Sequence, residues 1–197
     1  MKLIIVLLVS IFGFLLFVEA TEVKPCKVPS QWTANVYDRD DKAKYRSRAE
    51  LTYDAVNRRI RKIGIEKIGE FADYVDSILL YNENIEYRYS YTTKKCQKST
   101  LKNNWLGFDL PQNASYYGEQ TIGLTGANDS SLVASVWGAS IHTDGQNFEL
   151  LSLLSKTNCV PITFYLDNDL HNYQAFFFNV NGKPLDSEAF AIRSECL

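Results

Sequence analysis

Cys26, Cys96, Cys159 and Cys196 are the residues of this 197-residue chain best suited to covalent chemistry. No two of them are close enough in sequence for a metal-binding knuckle, and only His142 and His171 could complete a zinc site. An even count behind a leader segment reads instead as two disulfides, for which three pairings exist. Nucleophilic catalysis finds no support. A Gly-x-Ser-x-Gly elbow is absent, and His142 and Asp144 share one short turn, where a base would lack both an orienting partner and a nucleophile. Phosphate-cradling glycine loops are absent as well. Asp38, Asp40 and Asp41, and separately Asp167 and Asp169, offer the oxygen atoms that calcium takes, yet neither group matches the twelve-residue loop with its glycine and terminal Glu. Calcium therefore stays open, without assigned ligands; no other cofactor is expected, and the chain reads as a non-enzyme.

The elements that would position these residues follow a leader. Met1-Lys2 precedes an apolar run from Leu3 to Val18, which ends at Val18-Glu19-Ala20: a charged start, a hydrophobic stretch and a small-residue cleavage site. Residues 1–20 are expected to be a signal peptide and residues 21–197 one domain, long enough for a sizeable core. No later segment is apolar enough to span a bilayer. Asn113-Ala114-Ser115 and Asn128-Asp129-Ser130 are glycosylation sequons in turn-rich surroundings. Leader, paired cysteines and sequons together predict a secreted glycoprotein, with lysosomal targeting as a second destination. The net charge of −2 argues against a nucleic-acid partner. The one basic run, Arg58-Arg59-Ile60-Arg61-Lys62, puts Arg59 and Arg61 on one strand face and Arg58 and Lys62 on the other, and reads as a solvated strand edge.

Strand signals dominate after residue 40. Tyr45, Ser47, Ala49, Leu51 and Tyr53 alternate with Arg46, Arg48, Glu50 and Thr52, and Ile63 and Ile65 resume the pattern beyond Asp54-Ala55-Val56-Asn57. That is a hairpin, with Asp54 opening the turn and Asn57 suited to its left-handed position. Tyr74 to Tyr81 and Ile85 to Tyr91 make a second hairpin around Asn82-Glu83-Asn84. Leu132 to Ile141, Val160 to Leu166 and Tyr173 to Val180 are further strands, and Phe148 to Ser155 fits either helix or strand. Asp109 to Ser131 reads as an irregular surface excursion. The pattern predicts a mainly β sandwich or barrel with minor helix.

Twelve tyrosines and eleven phenylalanines are an aromatic excess. Phe176, Phe177 and Phe178 are consecutive, so a strand there loads both of its faces: Phe176 and Phe178 on one, Tyr173, Ala175 and Phe177 on the other. One set is expected to pack in the core and the other to need a cover or an apolar ligand. Tyr87, Tyr89 and Tyr91 are candidates for a neighbouring wall.

Several motifs converge on one family. Pro25-Cys26-Lys27-Val28-Pro29-Ser30-Gln31-Trp32 resembles the start of mature ependymin-related proteins, and Tyr53-Asp54-Ala55-Val56-Asn57-Arg58-Arg59 resembles their Tyr-Asp-x-x-Asn-x-Arg hairpin. Lys95-Cys96-Gln97-Lys98, Pro111-Gln112-Asn113-Ala114-Ser115, Cys159-Val160-Pro161 and Ser194-Glu195-Cys196 follow in the family's order. The resemblance implies two antiparallel sheets curved into a half-barrel, like bacterial lipoprotein carriers, around a deep apolar pocket. It implies a homodimer, the pairing Cys26–Cys159 with Cys96–Cys196, and no enzymatic role. The function implied is a carrier of an apolar small molecule or lipid such as a fatty acid, the alternative being a calcium-binding glycoprotein of extracellular-matrix adhesion. Two departures stand out: four cysteines where many vertebrate members carry six, and Arg193 where a proline is common.

Overall fold

Trp32, Ala34, Val36, Asp38 and Asp40 are all buried, while Asn35 and Tyr37 between them are exposed, so the first strand turns every second side chain inward. A computed structural model describes residues 23–125 and 131–197. Its strands are β1 (Gln31–Asp40), β2 (Tyr45–Asp54), β3 (Arg59–Ile68), β4 (Phe71–Leu80), β5 (Ile85–Ser90), β6 (Lys95–Thr100), β7 (Ser115–Gly123), β8 (Ser131–Thr143), β9 (Gln146–Ser155), β10 (Pro161–Asp167) and β11 (Asn172–Asn181). Apart from one 3-10 turn at Ser194–Cys196, the described residues contain no helix. Every neighbouring pair is antiparallel, in the order β6-β5-β4-β3-β2-β1-β11-β10-β9-β8-β7. Two meanders, one of six strands and one of five, are thus joined where the first strand meets the last, and the sheet remains open.

Phe108 shows how the sheet bends. Its ring lies 5.1 Å from Tyr53 on β2, 5.5 Å from Trp32 on β1, 5.1 Å from Phe177 on β11 and 5.2 Å from Phe164 on β10. Flat strands three spacings apart would stand roughly 14 Å apart, so the sheet curls around this one side chain. Leu110, Trp137, Leu150 and Leu154 complete the same core. The segment between β6 and β7 lays Phe108 and Leu110 into the hollow face, and the disulfide Cys26–Cys159 ties the N-terminal segment beside them. The opposite, outer face of β3–β6 is covered by the C-terminal segment, where Phe190 packs on Ile78 and Tyr87 and Cys196 bonds Cys96.

Several sequence expectations need correction. Asp109 to Ser131 contains the edge strand β7, whose register slips between Tyr116 and Gly118, with Gly118 at φ +104°. Phe148 to Ser155 is strand. β1 and β6 escaped notice; in β1 the alternation is interrupted by Asp38 and Asp40, polar residues that are nonetheless buried. In the β2–β3 turn the left-handed residue is Arg58, at φ 49°, not Asn57. Four hairpin turns of this protein end that way, on Lys44, Arg58, Asn84 and Lys94. At the β8–β9 turn Asp144 and Gly145 both have positive φ, which suits the twist of a tight reversal.

Candidate functional site

The basic run of β3 is the clearest departure from its solvated reading. β3 is an interior strand, and its basic residues Arg59, Arg61 and Lys62 are half-buried on its two faces. On the hollow face the Lys62 ammonium donates to Asp38 Oδ2 at 2.7 Å and to the Tyr45 hydroxyl at 2.7 Å, and the Tyr173 hydroxyl donates to the same Oδ2 at 3.0 Å. Burial opposes charge on Lys62, yet Asp38 and Tyr45 hold its pKa above the usual lysine range. Burial likewise pushes the Tyr173 hydroxyl well up. On the outer face Arg61 forks onto Asp76 at 2.8 and 2.7 Å and donates to the Ala189 carbonyl at 3.0 Å. Arg59 bonds Asp54 at 2.8 Å and lies 4.2 Å over the Phe190 ring. These cations hold the C-terminal segment and the sheet together.

The same segment claims the expected tyrosine wall. Tyr87 and Tyr89 are buried beneath it, and Arg193 lies 4.3 Å over Tyr89 and donates to the Tyr91 hydroxyl at 3.1 Å. Tyr87, Tyr89 and Tyr91 therefore pack against the chain's own terminus rather than line an open cavity. The arginine in the proline position thus makes ring and hydroxyl contacts that a proline could not.

On β11, Ala175 and Phe177 face the core, while Phe176 and Phe178 face outward. Phe177 is 5% exposed and Phe178 is 56% exposed. Phe178 borders an open cleft of about 790 Å³ on the outer face. Tyr37, Arg48, Ile63, Ile65 and Tyr74 line it with Phe178, and Phe176 stands beside it, 6.4 Å from Tyr37. Of the six aromatic pocket candidates, the structure puts Phe178 in the wall of this cleft and Phe176 at its margin. Tyr37, Ile63, Ile65 and Tyr74 were missed. Their signal is the outward alternation of β1, β3 and β4, which passes for ordinary surface until the strands are paired.

Asp38, Asp40, Asp41 and Asp167 are committed elsewhere. Asp40 accepts from the backbone N–H groups of Lys42, Ala43 and Asn172 at 3.0–3.1 Å and faces His171 Nδ1 at 2.8 Å. Burial works against its ionisation, but these bonds keep its pKa below the usual carboxylate value. Asp167 accepts from Asn172 and Lys42. Among the described residues no three His, Cys, Asp or Glu side chains gather as a metal site. His142 bonds Asn147 and Asp144 accepts from Asn104, so the two do not act as a dyad. Asn113 is exposed in the turn before β7, where a glycan would meet solvent; Asn128 and the leader lie outside the described residues. No described helix is long and apolar enough to cross a membrane.

Comparison with known proteins adds the family context. The Ependymin family profile matches residues 70–196. Mammalian ependymin-related protein 1 of Mus musculus is 26% identical over 179 residues, covering 88% of this chain and 76% of the relative. Ependymin of Clupea harengus is 23% identical over 149 residues, covering 75% and 68%. Among solved structures, an uncharacterized conserved protein of Thermus thermophilus aligns with a TM-score of 0.48 at 14% identity, over 85% of this chain and 88% of that one. LprF of Mycobacterium bovis aligns with 0.49 at 10% identity, over 80% and 89%.

Proposed function

The chain belongs to the ependymin family, and from that premise we infer a secreted, non-enzymatic carrier that holds an apolar ligand, a fatty acid or membrane lipid, on the outer face of its sheet. The observation that carries this reading is the aromatic cleft. Tyr37, Ile65, Tyr74 and Phe178 each stand more than a third exposed around one depression of about 790 Å³, large enough for a lipid chain. Exposed apolar side chains gathered in one place are costly unless something covers them. Secretion is supported by the leader, the two disulfides and the exposed sequon at Asn113.

The test is to isolate the natively secreted protein, extract it with organic solvent and identify acyl lipids by mass spectrometry, beside a Phe178→Asp variant. A lipid present in the wild type and depleted in the variant is expected. Neither co-purifying lipid nor uptake of a fluorescent fatty acid by the delipidated protein would overturn the reading. If instead the variant keeps its lipid and a dimer falls apart, the patch is a subunit contact.

A further inference from the structure

The cleft is electrically lopsided. Strand register puts Phe176, Tyr37, Arg48, Ile65 and Tyr74 in one row across β11, β1, β2, β3 and β4. Arg48 is the one charge in that row, exposed, and among the described residues its guanidinium meets no carboxylate and no other acceptor. Two residues farther along the strands, on the same face, come Arg39, Arg46 and Lys67. Arg39 and Arg46 share Asp41 at 3.7 Å each, and Lys67 has the exposed Glu70 at 3.7 Å. With Arg48 that makes four cations against two carboxylates at this end. The other end is different. Glu50 and Asn35, one row away from Arg48, line the cleft itself and, with Thr33, Thr52, Asn179 and Asn181, also border an adjoining hollow of about 260 Å³.

We propose that the cleft selects single-chain amphiphiles with an anionic head group, the head against Arg48 and the acyl chain over Ile65 and Tyr74, which follow Arg48 in its own row. An unpaired guanidinium offers forked donors that match a carboxylate or a phosphate with two parallel bonds. The basic row behind it draws the anion to the Arg48 row, and Glu50 repels it from the next row. The apolar contacts supply affinity, and the charge supplies orientation and choice of head group. This selectivity rests on the carrier reading above.

Calorimetry on the delipidated, glycosylated protein decides it with four lipid probes, oleate, oleyl phosphate, methyl oleate and monooleoylglycerol, beside inorganic phosphate as a control. The two anions are expected to bind about tenfold more tightly than the two neutral probes. That preference should vanish in Arg48→Gln, survive in part in Arg48→Lys, and shrink in about 0.5 M salt. Melting of each variant confirms an intact fold, since Arg48 is exposed. Neutral probes that match oleate, or an Arg48→Gln variant that still prefers anions, would overturn the head-group inference and leave the cleft as a site of apolar binding. Tighter binding of monooleoylglycerol would move the head to the Glu50 hollow instead. Inorganic phosphate binding as well as oleyl phosphate would reduce the site to a plain anion site. If none of the four binds, the carrier reading itself fails.

Discussion

Lys62 and Asp38 lie on β3 and β1, strands that do not touch, yet their charges meet at 2.7 Å on the hollow face after the lysine side chain has crossed β2. The Tyr45 hydroxyl, from β2, and the Tyr173 hydroxyl, from β11, join the same pair. Four adjacent strands are therefore tied by one buried polar knot at the point where the two meanders are joined. Backbone bonds define neighbours only, whereas this knot fixes strands two and three places apart and so helps to set the curl.

Removing one partner should be much worse than removing both. Lys62→Met leaves the Asp38 carboxylate buried and uncompensated and is expected to cost about 3–5 kcal/mol in urea unfolding, whereas Lys62→Met with Asp38→Leu should recover much of that loss. Lys62 has a raised pKa in the fold, so its contribution is fully present below the ordinary value of 10.5 and is lost only as pH rises beyond it. Stability contributed by the pair should thus be flat from neutral pH to about 10. A single substitution costing less than a surface pair would show that the knot is not structural.

Asp54 is the acid-sensitive position. Its side chain is fully buried; burial opposes ionisation, but bonds from Asn57, Arg59 and Gln31 win and hold its pKa below the ordinary 3.8. A depressed carboxylate stabilises above its unfolded pKa and loses that contribution as pH falls through the folded value. Asp54→Ala should cost about 1–3 kcal/mol at pH 7, and the gap between variant and wild type should close below about pH 3.8. Parallel urea titrations at pH 7 and pH 3 measure it. An equal gap at both values would assign the loss to the turn backbone instead.

What each strand buries decided how far the sequence could be read. Ser47, Ala49, Leu51 and Tyr53 announce β2 because a buried row of small and apolar residues alternates with charge. β1 carries the same period but places Asp38 and Asp40 at two inward positions, so hydropathy alone breaks there. Lys62 reads as wet for the complementary reason: its partner is 24 residues away and visible only once the register is known. The disulfide pairing followed from family resemblance, since spacing leaves three choices. Phe176 to Phe178 showed that both faces of β11 carry rings, but the sequence could not say that the outer face is left open opposite Tyr37, Ile65 and Tyr74.

The disulfide Cys96–Cys196 closes a loop of 100 residues and pins the C-terminal segment across Ile78, Tyr87 and Tyr89. In the chain-entropy model a loop of that length is worth about 4–5 kcal/mol. Cys96→Ser with Cys196→Ser should therefore lower the unfolding midpoint and speed limited proteolysis at residues 183–197 before the rest of the chain is cut. Arg61, Arg59 and Arg193 still hold that segment through Ala189, Phe190 and Tyr91. A high-salt arm should accelerate cleavage further in the variant than in the wild type. Uniform cleavage across the chain would mean that the bridge stabilises the whole fold and not this segment in particular.

Adjacent residues on β11 give the sharpest separation of core from cleft. Phe177 is 5% exposed, with its ring 5.1 Å from Phe108 and 5.5 Å from Trp32, so Phe177→Ala empties a site enclosed by rings and is expected to cost about 3–5 kcal/mol. Phe178 is 56% exposed and touches the cleft, so Phe178→Ala should cost less than about 1 kcal/mol of stability. Its effect should fall on the ligand: uptake of a fluorescent fatty acid is expected to drop severalfold in Phe178→Ala, and to stay close to wild type in whatever fraction of Phe177→Ala remains folded. The paired measurement is thermal melting with lipid uptake on both variants. If Phe178→Ala melts like wild type and binds lipid like wild type, the outer cleft is not where the ligand sits.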